Sequence, residues 1–287
     1  VPIINVPQTV SIITDEDILD QGFRALGDIV RYVPGIHTTQ GEGHRDAVVI
    51  RGVRTTADFY QNGLRDDVQY YRSLYNVEQV EVLKGPNALL FGRGGTGGLI
   101  NRVSKKALIG ETFSNMNVGL DSFGAGDFTV DGNIEVNDSA AFRLMVHSDS
   151  LANHRDQYDG DRFGINPTMT FAVNSETEIG LSFEYLDHER YIDRGIPTSR
   201  TGGASTSTDR PVDALNGITY GTDGNVHTTE ASILTGTLVH NYSDSGKINL
   251  TVSSNDFNKM YQNLYVNSYD GTNVELKGYN DVTLRET

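Results

Sequence analysis

The sequence predicts two folds in succession: an α+β domain over residues 1–107, then antiparallel transmembrane β-barrel strands over residues 108–287. Three observations carry that expectation. Apolar residues before Ala107 recur at both helical and extended spacing, whereas after it only the period-two alternation of strands is found. Residues 1–107 hold 12 basic and 12 acidic side chains, so the net charge of −15 lies wholly in the remainder. The later connections are also short at one end of the strands and long at the other, as in barrels that cross an outer membrane.

Taken in order, Val10, Ile12 and Ile13 read as a strand. It runs into Thr14-Asp15-Glu16-Asp17, where a threonine N-cap and early carboxylates start a helix that Gly22 stops. Leu26, Ile29, Val30 and Val33 repeat at helical spacing until Pro34-Gly35 ends the run. A polar stretch, Thr38 to Asp46, precedes the apolar run Val48 to Val53. Asn62-Gly63 is a hairpin signal, because both central positions of a type I′ turn need φ > 0. Further loops are expected at 54–58 and 66–75.

Between Tyr75 and Lys106 lie a strand, Val80 to Leu83, a Lys84-Gly85-Pro86 corner, an apolar run Ala88 to Phe91, a glycine-rich bend and a strand, Leu99 to Ser104. Gly92, Gly94, Gly95, Gly97 and Gly98 let the backbone lie close against something else. Gly92, Gly94 and Gly97 also satisfy G-x-G-x-x-G. A dinucleotide fingerprint needs a strand before it and a helix after it, and here the order is reversed.

That segment, EVLKGPNALLFGRGGTGGLINRVSKK, resembles the plug-domain signature of TonB-dependent outer-membrane receptors, in the subgroup that imports ferric siderophores. VPQTVSIIT, LGDIVRYVPGI, VVIRGV and NGLRDD fall in the order of that family. The resemblance implies a fragment of a 22-stranded plugged barrel, comprising residues 1–107 as plug and 108–287 as about seven barrel strands and the start of an eighth. It implies a bacterial outer-membrane active transporter that binds and imports ferric siderophores, energised through TonB and its inner-membrane proton-driven complex. Lipid and lipopolysaccharide would surround it. Iron would arrive as cargo, with no resident cofactor. Import of cobalamin, haem or oligosaccharide is the alternative within the family, and a passive porin or adhesin the alternative outside it. The secretion signal and the motor-binding box are expected upstream of Val1.

The family also suggests residue roles. Arg51 of the IRG strand and Lys84 before the Gly-Pro corner would lock the plug to barrel glutamates, with Arg93 beside them. Lysine lacks the bidentate fork of arginine, which makes the second contact a weaker one. Three plug loops would meet the ligand, by position Thr38 to Asp46, Arg54 to Asp58 and Asp67 to Ser73. Within them Arg45, Arg54, Tyr70, Tyr71 and Arg72 are chosen by chemistry, since tyrosine rings and guanidinium heads suit an anionic aromatic or hydroxamate chelate.

After Ala107 strands are expected at about 112–121, 126–137, 139–149, 162–173, 176–187, 230–242 and 246–258, with another starting near 280. Connections at 150–161, 188–229 and 259–279 would be the long ones. The acidic balance argues against nucleic acid, whose phosphates need Lys and Arg. With no cysteine there is neither a disulfide nor a thiolate metal site. Asp156, Asp159 and Asp161 lack the calcium-loop pattern. No H-x-x-x-H pair or G-x-S-x-G elbow is present, so no enzyme and no metal site are expected.

Overall fold

A computed structural model describes residues 9–85, 91–92, 95, 97–197, 217–269 and 273–287. The chain divides into two compact units, Val1–Lys105 and Lys106–Thr287.

In the first unit β1 (Thr9–Thr14) runs into α1 (Asp15–Asp20). Thr14 caps that helix: its Oγ1 accepts from the Asp17 amide at 3.2 Å, and Asp17 Oδ2 accepts from the Thr14 amide at 3.0 Å. This reciprocal box satisfies two helix-end donors at once. Then follow α2 (Leu26–Val30), β2 (Ile36–Thr38), β3 (Val48–Ile50), β4 (Val53–Thr55), β5 (Phe59–Gln61), β6 (Leu64–Arg65), β7 (Val77–Lys84) and β8 (Gly98–Ser104). Five strands form a sheet in the order β1-β7-β8-β5-β6, and β2-β3-β4 form a second. The β5–β8 pair is parallel, and the other ladders are antiparallel. Leu26, Ile29 and Val30 from α2 bury against Ile50, Val80 and Ile100, which makes the core of this unit.

Two tight hairpins shape the unit. Asn62 and Gly63 join β5 to β6 at φ 52 and 80. Arg51 and Gly52 join β3 to β4 at φ 49 and 85, a second turn of the same kind at a residue that rarely adopts it. The glycine bend does press against backbone, and the backbone is that of its own unit. A Cβ on Gly97 would stand 2.4 Å from the Ile50 carbonyl oxygen, and one on Gly98 would stand 2.4 Å from that of Leu83. Of the expected corner and the apolar run Ala88 to Phe91, residues 86–90 lie outside the described residues, as does Arg93.

The second unit is one antiparallel meander of eight strands, with each strand paired to its sequence neighbour. They are β9 (Phe113–Leu120), β10 (Gly126–Asn137), β11 (Ala140–Ala152), β12 (Asp159–Asn174), β13 (Thr177–Tyr191), β14 (Val226–Ser243), β15 (Gly246–Tyr269) and β16 (Val274–Glu286). One face is apolar and exposed, carrying Leu181, Phe183, Leu234, Leu250 and Val252. The opposite face buries polar groups, among them Asn133, Arg143, Arg162, Thr170, His188 and Lys259. There Arg143 forks onto Asp131, with Nε and Nη2 each 2.7 Å from a carboxylate oxygen. Among the described residues no helix is long and apolar enough to cross a membrane, which says nothing of strands.

The strand bounds correct three expectations, of which the first is the 150–161 connection, cut to 153–158 because β11 runs to Ala152 and β12 starts at Asp159. The expected connection 259–279 is mostly strand, because β15 continues to Tyr269 and β16 begins at Val274. The 188–229 connection also shortens, because β13 reaches Tyr191 and β14 starts at Val226. In β15 and β16 the apolar face continues through Leu264, Val266, Val274 and Leu276, but Gln262, Gly278 and Asn280 interrupt it, so the ladder outlasts the unbroken alternation.

Candidate functional site

The three loops expected to meet a ligand do come together in the first unit. Gln69, in the 66–73 loop, is the meeting point. Its Oε1 accepts from Arg45 Nη1, and its Nε2 donates to Thr56 Oγ1 at 3.4 Å. Arg45 also pairs with Glu42 at 3.2 Å. Arg54 on β4 is exposed, while Tyr71 is half-buried. Arg45 and Tyr71 are therefore carried on loops joined through Gln69 and Thr56, whereas Arg54 lies on strand β4, two residues before Thr56, and not on the loop expected at 54–58. The sequence reading missed Gln69, since a single amide in a tyrosine-rich loop gives no signal of what it will bridge.

Tyr70 and Arg72 correct the expectation. The Arg72 side chain is 0% exposed, and Tyr70 is also buried. The guanidinium lies between the Phe59 and Tyr70 rings, 4.1 and 4.7 Å from their centres. Its Nε donates to Asp66 Oδ2 at 2.8 Å, and Nη1 lies 3.4 Å from Asp46 Oδ2. Nη2 donates to the carbonyls of Asp66 and Val68, each at 2.8 Å. Arg72 thus holds the backbone of its own loop and ties it to Asp46, where the first loop ends. Such an arginine organises the loop from within. A buried cation requires carboxylates, and Asp46 and Asp66 supply them, but their spacing from Arg72 in the sequence gives no sign of the pairing.

Asp66 is the acceptor on which this cluster closes. Its Oδ2 takes Arg72 Nε, Arg102 Nη2 at 2.9 Å and the Tyr70 hydroxyl at 3.0 Å. Burial pushes the Asp66 carboxyl up, but Arg72, Arg102 and Tyr70 together outweigh it and hold it below its ordinary value. At Asp46 burial is the larger influence and leaves the carboxyl above its ordinary value in spite of Arg72.

The two lock candidates lie side by side. Arg51 Nη1 would stand 3.3 Å from a Cβ placed on Gly85, the residue after Lys84. Arg51 Nη2 donates to Thr9 Oγ1 at 3.3 Å, and the buried Lys84 Nζ donates to the Pro34 carbonyl at 2.8 Å. Burial, and then the Arg51 charge, hold the Lys84 ammonium below its ordinary value. Within the first unit neither cation ion-pairs with a carboxylate among the described residues. Two neighbouring positive charges so placed favour an anionic partner.

Residues 2–99 match the TonB-dependent Receptor Plug Domain family. The probable TonB-dependent siderophore receptor PiuA of Acinetobacter baumannii is 32% identical over 92% of this chain and 36% of that protein. The probable TonB-dependent receptor BfrD of Bordetella pertussis is 34% identical over 72% of this chain and 28% of that protein. The crystal structure of PiuA superimposes with a TM-score of 0.80 and 28% identity, covering 98% of this chain and 41% of that one. The open form of the ferric-catecholate import receptor Fiu from E. coli K12 is alike in fold, with a TM-score of 0.83 and 24% identity over 96% of this chain and 44% of that one. The chain spans about a third of the length of the curated relatives it matches.

Proposed function

The chain belongs to the TonB-dependent receptors, and on that premise we propose that the whole receptor binds a ferric siderophore and imports it across the outer membrane with energy passed on by TonB. The observation that carries this reading is the likeness to a named siderophore receptor over 92% of the chain. The junction of the Arg45, Thr56 and Tyr71 loops at Gln69, with Arg54 exposed on the strand just before Thr56, supports it, because that chemistry suits an anionic chelate.

In this reading residues 1–107 are the plug and residues 108–287 the first strands of the barrel, whose apolar face meets lipid and lipopolysaccharide. The protein is a transporter rather than an enzyme, and iron passes through as cargo without a resident cofactor. Arg51 and Lys84 pair with barrel carboxylates; Arg93, assigned to the same lock, lies outside the described residues.

Uptake of an iron-55 chelate by cells carrying the whole receptor tests the reading, with and without a proton uncoupler. Uptake should stop when the gradient collapses. Uptake that continues unchanged would favour a passive pore. Competition by unlabelled cobalamin, haem or an oligosaccharide would move the substrate to that class.

A further inference from the structure

Residues 105–112 have no helix or strand, yet they are not loosely held. Arg143 Nη1 donates to the Lys106 carbonyl at 3.1 Å, and Thr170 Oγ1 donates to that of Ala107 at 2.7 Å. Asn133 grips the next residues: its Oδ1 accepts from the Leu108 amide at 2.9 Å, while its Nδ2 donates to the carbonyls of Leu108 and Glu111 at 2.9 and 2.7 Å. The three side chains come from the adjacent strands β11, β12 and β10. All sit on the polar face, and all are buried, Asn133 completely so at 0% exposure. The fork of Arg143 onto Asp131 fixes the guanidinium before it reaches the chain. Every one of these bonds ends on main chain, so the grip is on the backbone itself.

The other end of the first unit is held differently. Among the described residues strand β1 is at the edge of its sheet and pairs with β7 alone. An edge ladder opens one pair at a time, whereas the bonds on residues 106–111 come from three paired strands that must yield together. Resting on the transport reading above, in which force reaches the plug from its N-terminal side, this asymmetry has a mechanical meaning. We propose that Asn133, Arg143 and Thr170 are positioning residues that clasp the main chain of residues 106–111, so that traction entering through β1 unravels the first unit no further than Lys105.

Single-molecule pulling on the full-length receptor in outer-membrane vesicles, from a handle fixed at Val1, tests this. Wild type should extend by about 370 Å, the contour of 105 residues at roughly 3.5 Å each, and then resist. A receptor carrying Asn133→Ala and Thr170→Val should give about 25 Å more before the next stop, the seven residues up to β9. Hydrogen exchange supplies a second readout that works if the double variant fails to fold. The Leu108 amide should be slow in wild type and at least about tenfold faster in Asn133→Ala. In the isosteric Thr170→Val the chain from Ala107 onward should loosen, and Thr170→Ser should restore it. Extension that passes Lys105 in wild type without a stop, or exchange at Leu108 unaffected by Asn133→Ala, would overturn the clasp. Neither measurement needs a chelate or TonB, so a failed uptake assay would sink the transport reading and leave these results standing.

Discussion

Arg72 Nε lies 2.8 Å from Asp66 Oδ2, and both side chains are buried in the first unit. That pair closes the loop of residues 66–73 on itself. Removing one partner leaves an uncompensated buried charge, which costs about 3–5 kcal/mol. Asp66→Asn should therefore lower the melting temperature of the plug sharply in the intact receptor. Asp46→Asn should lower it less, since burial holds the Asp46 carboxyl above its ordinary value and offsets part of what its contact with Arg72 contributes. Equal losses in the two variants would show that Asp66 is not the acceptor on which the cluster closes.

Acid should act on the same two groups with opposite sign. Asp66 has a depressed folded value, so its contribution is present above the unfolded carboxylate range near 4 and is lost as pH falls through the folded value. Asp46 has a raised one, so its contribution is greatest below that range and is lost as pH rises through the folded value. Amide exchange in the 66–73 loop, followed on acidification, should stay slow through the ordinary carboxylate range and quicken only below it. The quickening should vanish in Asp66→Asn. An early transition that Asp46→Asn abolishes would reverse the assignment.

For the ligand, the exposed and half-buried residues should separate from the buried ones. Arg54→Ala should weaken chelate affinity by roughly ten- to hundredfold, the loss of a charge-assisted contact worth about 1.5–3 kcal/mol, with an unchanged melting point. Arg72→Ala should do the reverse, lowering the melt first. Tyrosine fluorescence quenching with a thermal scan on each variant reads both. Full affinity in Arg54→Ala would take that arginine out of the site.

Arg51→Ala should make the whole receptor leaky to a large antibiotic, because a barrel carboxylate would lose its partner at a cost of about 3–5 kcal/mol if buried. Wild-type impermeability in the variant would make Arg51 a surface cation.

Glycines divide by what surrounds them. Gly97→Ala should cost at least the upper end of roughly 1–3 kcal/mol, because its Cβ would meet the Ile50 carbonyl at 2.4 Å and backbone cannot move aside cheaply. Gly63→Ala meets open space and bears only the strain of its φ of 80°, roughly 1–2 kcal/mol. Denaturant melts of both variants check the order. A milder Gly97→Ala would mean the bend can back away from β3.

Much of this was legible from local chemistry. The Thr14 cap, the Asn62-Gly63 turn and the period-two strands each depend on neighbours in sequence, and each stands where it was expected. The role of Arg72 was not legible, because its partners Asp46 and Asp66 are set by the fold of the loop and not by spacing. Nor were the outer parts of β15 and β16, where Gln262, Gly278 and Asn280 break the apolar face and leave only short runs of alternation. The positive φ of Arg51 was hidden for another reason. An arginine before glycine reads as strand end, and nothing in its side chain favours that backbone.

That conformation sets a trap for anyone who would improve this protein. Position 51 occupies a turn in which Asn or Gly would be more comfortable, so a screen that rewards heat resistance alone would favour Arg51→Asn or Arg51→Gly. Either substitution would relax the hairpin and delete the guanidinium that stands beside Lys84. A sturdier variant selected in that way would have traded the charge proposed to lock the plug for a quieter backbone, and only a screen that also scores permeability would test that trade.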